Sequence, residues 1–141
     1  MLVKAVLLPL FLQVLLTFAL WLNMAVRRTR ALKSGKTKYK DIALREPAWP
    51  EPALKAAYSF NNQFELPLLF YVAIIIAIIT RHADMVIVVL AWVFVVCRYL
   101  QAFIHVTSNN VPYRGAYYGV GAVALLIMWI WLALGIFAAV P

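Results

Sequence analysis

Four apolar runs, each long enough to cross a lipid bilayer, take up most of this 141-residue chain. They cover residues 2–26, 53–80, 85–106 and 113–140. A helical span needs roughly 20 apolar residues, because the hydrocarbon layer is about 30 Å thick and a helix rises about 1.5 Å per residue. In lipid every backbone N–H and C=O must find its partner inside the segment, so each run is expected to be helical. Hydrophobic residues make up 66% of the chain, more than a soluble domain of this size can bury. The bilayer is therefore part of the solvent. The expected fold is an all-α membrane protein, a single four-helix domain over residues 1–141 that runs up-down-up-down around one substantial loop, 27–52.

Charge sets the expected orientation. The net charge is +8, and nine of the thirteen Lys and Arg residues fall between Arg27 and Lys55. Such a cluster marks a cytoplasmic loop rather than a nucleic-acid surface. Both termini and the turn from Arg81 to Asp84 then lie on the non-cytoplasmic side, and the turn from Ser108 to Pro112 joins the loop. Lys4 precedes an apolar run, as in a signal peptide, but the run is too long and lacks a small-x-small cleavage site. It reads as a retained helix. The basic residues that follow it, Arg27, Arg28 and Arg30, suit a helix C-terminus and anionic lipid headgroups. Arg45 to Pro52 carries three prolines and Trp49, a composition that predicts an extended stretch along the membrane interface. Glu51 and Pro52 then open the second helix.

Small residues predict packing. Gly115 and Gly119 in the fourth span have the small-xxx-small spacing that permits close helix approach. Cys97, the single cysteine, forms no disulfide framework and is read as a packing residue.

Charged side chains within hydrocarbon cost roughly 2.5–3.5 kcal/mol each on insertion scales and face other helices, partners or sites. Two stand out: Glu65 in the second span and Arg98 in the third. Tyr58, Asn62, Glu65 and Leu69 recur on one helical face, and so do Arg98, Gln101 and His105. A single antiparallel register pairs Glu65 with Arg98, Asn62 with Gln101 and Tyr58 with His105. Glu65 and Arg98 then lie roughly 12–18 Å below the cytoplasmic helix ends, with the other polar groups climbing toward the surface. Arg27, Arg28, Arg30 and Arg114 crown the mouth of such a cleft.

A cleft of this kind suits a small polyfunctional anion. Arginine forks grip carboxylates, and an inner glutamate accepts an ammonium group. The plainer reading is a buried ion pair that fixes helix register, with Asn62 and Gln101 as interhelical hydrogen bonds. The length and grading of the polar set favour the cleft. His105 alone reads as a hydrogen-bonding residue near the membrane surface. No metal site, nucleophile triad, phosphate loop or nucleic-acid module is expected.

The run Asn62-x-x-Glu65 followed by Pro67 and Phe70 resembles the MAPEG family, membrane-associated proteins in eicosanoid and glutathione metabolism. Arg27-Arg28 at the end of the first span and Arg98-Tyr99 in the third support the resemblance, which covers essentially the whole chain. It implies a homotrimer in the bilayer, as in bacterial inner-membrane members, that binds glutathione between subunits as co-substrate for a lipophilic small molecule. Carried over, Asn62 and Glu65 would hold the peptide, Arg28 and Arg98 would serve charge and register, and Arg114 would be the catalytic thiolate stabiliser. Tyr58, Gln101 and His105 complete the implied binding set. The chain departs from the pattern at Tyr58, where active members commonly carry arginine, and at Gln101 and His105, which stand where family tyrosines contact glutathione.

The leading expectation is thus a glutathione-dependent transferase or peroxidase acting on lipophilic electrophiles or hydroperoxides. A small proton-coupled exporter also uses four helices and one intramembrane glutamate. A non-catalytic binding or scaffold protein of the same family is the third reading.

Overall fold

A computed structural model describes residues 2–44 and 48–138. Helix α1 covers Val3–Lys33, α2 Glu51–Asn61, α3 Leu66–Ile79, α4 Met85–Val106 and α5 Val111–Phe137. With α2 and α3 counted as one broken rod, four helices are long and apolar enough to cross a membrane. Their apolar outer faces, Phe11, Phe18, Leu68, Ile75, Val89 and Leu126 among them, are exposed, as lipid-facing side chains must be. The chain is a four-helix membrane bundle.

The ends of the spans differ from the sequence expectation. Helix α1 runs through the basic cluster to Lys33, so Arg27, Arg28 and Arg30 sit on a rigid helix rather than on a loop. Six of the seven residues from Arg27 to Lys33 are arginine, alanine, leucine or lysine, all strong helix formers, and neither glycine nor proline interrupts them. Of the stretch expected to be extended, Arg45 to Pro47 lies outside the described residues, as do residues 139–141 at the expected end of the fourth helix.

The second span is not continuous. After Asn61 the chain tightens into a 3₁₀ turn over Asn62–Phe64, and at Glu65 it leaves helical geometry altogether, with φ −95° and ψ −110°. Pro67 is the cause. It has no N–H to give the Gln63 carbonyl, and its ring clashes with that carbonyl in an unbroken helix. It sits instead in the first turn of α3, where proline is tolerated.

Helix α4 is the hub, packed against α1, α2, α3 and α5. The core is built from small and aromatic residues: Ala73, Ala77 and Ala91 are fully buried, and Phe70 stacks on Phe94 with ring centroids 4.7 Å apart. Small residues let backbones approach closely, which matters because lipid is as apolar as the core. The glycines divide differently from expectation. Among the described residues no atom from outside the local helix turn lies within 4 Å of a Cβ built at Gly115 or Gly119, so neither marks a close helix approach there. Gly121 and Gly135 do: a Cβ at Gly121 would touch Cys97, and one at Gly135 would lie 2.8 Å from the His82 ring. Cys97 is buried at that contact.

At the end of the bundle away from the basic loop, Asp84 caps α4 by accepting from the Ile87 N–H at 3.0 Å. Its other oxygen accepts from the Trp131 indole N–H at 2.9 Å, tying α4 to α5.

Candidate functional site

The break at Glu65 exposes backbone that an intact helix would satisfy, and Arg98 supplies part of the missing pairing. Arg98 is 1% exposed on α4. Its Nη2 donates to the carbonyl oxygen and to the side-chain Oδ1 of Asn62, both at 3.2 Å. The Asn62 carbonyl would bond the N–H four residues on in a regular helix; here it accepts from the Glu65 N–H at 3.3 Å and from the arginine. A charge-assisted bond is therefore spent on holding the kink.

This corrects the expected register. Arg98 meets Asn62, not Glu65, and the single ion pair among the described residues joins Lys55 Nζ to Glu51 at 2.9 Å, at the loop end of α2. The expectation assumed helical rise through Glu65. The chain leaves helical geometry at that residue, and Arg98 bonds instead to Asn62, the residue one turn earlier.

One cavity of about 470 Å³ opens between α2, α4 and α5. Tyr58, Asn62, Glu65, Gln101, His105 and Arg114 all line it. Asn61, Gly115 and Tyr118 complete the wall. Arg98 is not part of the lining; it lies behind it, with its guanidinium 5.8 Å from the Tyr118 ring centroid. Arg28 is elsewhere, stacked 5.0 Å over the Trp49 ring. Of the expected set, six residues share one space, Arg98 supports it, and Arg28 stands apart within this chain.

The cavity is chemically mixed. Among the described residues Glu65, exposed to it, is the only carboxylate in the lining and Arg114 the only guanidinium. Between them Gln101 and His105 are buried, and Gln101 Oε1 and His105 Nδ1 have no hydrogen-bond partner among the described residues. Asn110 caps α5, with its Oδ1 accepting the Tyr113 N–H at 3.4 Å, and so sets the first turn that carries Arg114. Asn109, at φ 51°, accepts from Arg114 Nη1 and steadies the guanidinium at the rim.

Tyr118 was legible in principle: it lies four residues beyond Arg114, on the same helical face. A second polar group was not anticipated. Gln13, fully buried about a third of the way along α1, donates through Nε2 to Gln63 Oε1 at 2.7 Å, and Thr17 donates to the same oxygen at 3.1 Å. Gln63 lies in the 3₁₀ turn, so α1 pins the back of the segment whose front presents Asn62 and Glu65. Its signal was an amide flanked on both sides by apolar residues within the first span.

The MAPEG family model matches residues 6–134, nearly the whole chain and every residue of the cavity. The chain belongs to the MAPEG family. It is accordingly a multi-pass integral membrane protein of the eicosanoid and glutathione metabolism type. Comparison with curated proteins and with solved structures gave no match. In MAPEG terms the kinked second span is the element that matters here, because it turns Asn62 and Glu65 toward α4 and α5 together.

Proposed function

We propose that this MAPEG protein binds glutathione in the cavity, works as a homotrimer, and joins the thiol to lipophilic electrophiles or reduces lipophilic hydroperoxides. The observation that carries the reading is the one space shared by the Glu65 carboxylate and the Arg114 guanidinium, with Asn62, Gln101 and His105 between them. Glutathione offers an ammonium, two carboxylates, peptide groups and a thiol, which need an acid, a cation and amides in a single recess. The volume, about 470 Å³, is of the size that takes a small ligand. Gln101 and His105 add an amide and an imidazole to the wall.

In this reading Glu65 and Asn62 hold the amino and peptide groups. Arg114 favours the ionised thiol, whose ordinary pKa is near 8.5, and so raises the fraction of the nucleophilic thiolate. Arg98 is a positioning residue, because it fixes Asn62. Directly beyond Glu65 and Tyr118 lies an apolar groove of about 450 Å³ lined by Leu66, Leu69, Ala122, Leu125, Leu126 and Trp129, suited to a lipophilic second substrate. Glu65 is exposed mid-span and has no ion pair among the described residues, a costly arrangement unless a neighbouring subunit and enclosed water cover that face. This supports the trimer. The mouth opens toward the basic loop, the cytoplasmic side by the positive-inside rule.

Calorimetric titration of the detergent-solubilised protein with glutathione tests the proposal. Saturable binding is expected, weakened at least tenfold in Glu65→Gln. Arg114→Ala is expected to keep binding within a few-fold while losing the ultraviolet absorbance of bound thiolate. No glutathione-dependent heat in the parent protein, or equal binding by Glu65→Gln, would end the reading. Binding without product from a lipophilic electrophile or hydroperoxide would leave a non-catalytic binding protein.

A further inference from the structure

A second, smaller cavity of about 290 Å³ sits at the basic end of α1, away from the glutathione cavity and sharing none of its residues. Its charged wall is Arg27, Arg30 and Lys36 with the Ser34 hydroxyl; its floor is Ala31, Pro50, Pro52 and Ala53. Among the described residues no carboxylate lines it, and none of its three cations forms an ion pair.

Local structure makes this a formed recess rather than a spray of surface charge. Gly35, at φ 75°, turns the chain back after the Ser34 N–H bonds the Arg30 carbonyl at 2.9 Å. A left-handed φ at the helix end is the position glycine fills without strain. Thr37, 2% exposed, then anchors the returning loop: its N–H reaches the Ala31 carbonyl at 3.4 Å and its hydroxyl the Ala48 carbonyl at 3.1 Å. Arg27 is braced by its Nε bond to Asn23 Oδ1 at 3.0 Å.

The approach to the recess decides its ligand. Phe11, Leu15, Phe18, Leu22 and Val26 follow one another at spacings of four, three, four and four along α1, and the next step of four is Arg30. All five apolar residues are outward-facing, from 39% to 64% exposed. They form an unbroken apolar stripe that ends at the cationic recess. One leaflet is roughly 15 Å deep, about ten residues of helix, so a chain lying on Phe18 to Val26 places its headgroup beside Arg30. The mixed wall suits the same molecule: carbon below for a glycerol backbone, guanidinium and ammonium above for a phosphate.

We propose that this recess binds the phosphate of an anionic phospholipid whose acyl chain lies along the α1 stripe. A free phosphate ion carries the same charge but cannot use the stripe.

The test is thermal unfolding of the full chain in non-ionic detergent, titrated separately with dioctanoyl phosphatidylglycerol, dioctanoyl phosphatidylcholine and inorganic phosphate. Phosphatidylglycerol is expected to raise the midpoint saturably, and the other two are not. Each cation near an anionic lipid surface contributes about a factor of five in affinity. The Arg30→Gln, Lys36→Gln double variant is therefore expected to weaken the phosphatidylglycerol response about thirty-fold. Lys36→Gln alone, at an exposed position that folding tolerates, should weaken it about five-fold. Arg81→Gln, at the opposite end of the bundle, should leave it unchanged. An equal response to phosphatidylcholine, a full response to inorganic phosphate alone, an unchanged response in the Lys36 variant, or an equal loss in Arg81→Gln would each overturn the proposal.

Discussion

Replacing Arg98 by methionine tests whether a buried guanidinium holds the break in the second span. Methionine fills similar length without charge, so the change removes two donor contacts of 3.2 Å to Asn62 and little volume. The side chain is 1% exposed, so water cannot replace it. An orphaned buried acceptor costs about 1–3 kcal/mol. The Asn62 carbonyl keeps its bond from the Glu65 N–H at 3.3 Å, which places its share at the low end. Removing a buried charge also relieves desolvation. The expected net loss is about 2 kcal/mol. Side-chain coupling is measured by a double-mutant cycle of Arg98→Met and Asn62→Ala, unfolded by denaturing detergent in mixed micelles. Interhelical hydrogen bonds measured this way in membrane proteins average about 0.6 and reach about 1.7 kcal/mol. For a charged donor near Asn62 Oδ1, about 1 kcal/mol is expected. A coupling indistinguishable from zero, with Arg98→Met as stable as the parent, would refute the reasoning.

Three further outcomes follow from the same geometry. Gly135→Ala places a Cβ 2.8 Å from the His82 ring and should destabilise by about 1–3 kcal/mol, with His82→Ala in the same chain restoring most of the loss. Gln13→Leu should cost about 1–2 kcal/mol by stripping the Gln63 amide of its 2.7 Å donor, whereas adding Gln63→Leu should recover part of it; additive losses in micelle unfolding would contradict this. A Cβ at Gly119 enters open space among the described residues, so Gly119→Leu should leave folding unaffected. If this glycine face packs in the proposed trimer, light scattering in detergent should show dissociation, and an intact trimer would exclude the face as the interface.

Much of the candidate site was readable from residue types. Tyr58, Asn62, Glu65, Gln101, His105 and Arg114 do share one cavity. Their partners were not readable. The expected pairing of Glu65 with Arg98 failed because periodicity arguments presume an unbroken helix, and Pro67 carried a warning whose geometric consequence only folded coordinates supply. Arg28 looked equivalent to its neighbours in sequence, but it turns to Trp49, twenty-one residues on, through a loop whose path no local rule predicts. The glycines teach the same point: spacing singled out Gly115 and Gly119, whereas close approach occurs at Gly121 and Gly135.

Hydrophobicity and backbone hydrogen bonding act locally, so the order of residues alone determined four membrane-length helices and which of them carry polar groups. Which polar group meets which is a property of rotation, kink and crossing between helices far apart in the chain. Only the packed bundle decided that Arg98 braces Asn62, that Gln13 pins Gln63 from behind, and that Glu65 is left facing an open recess.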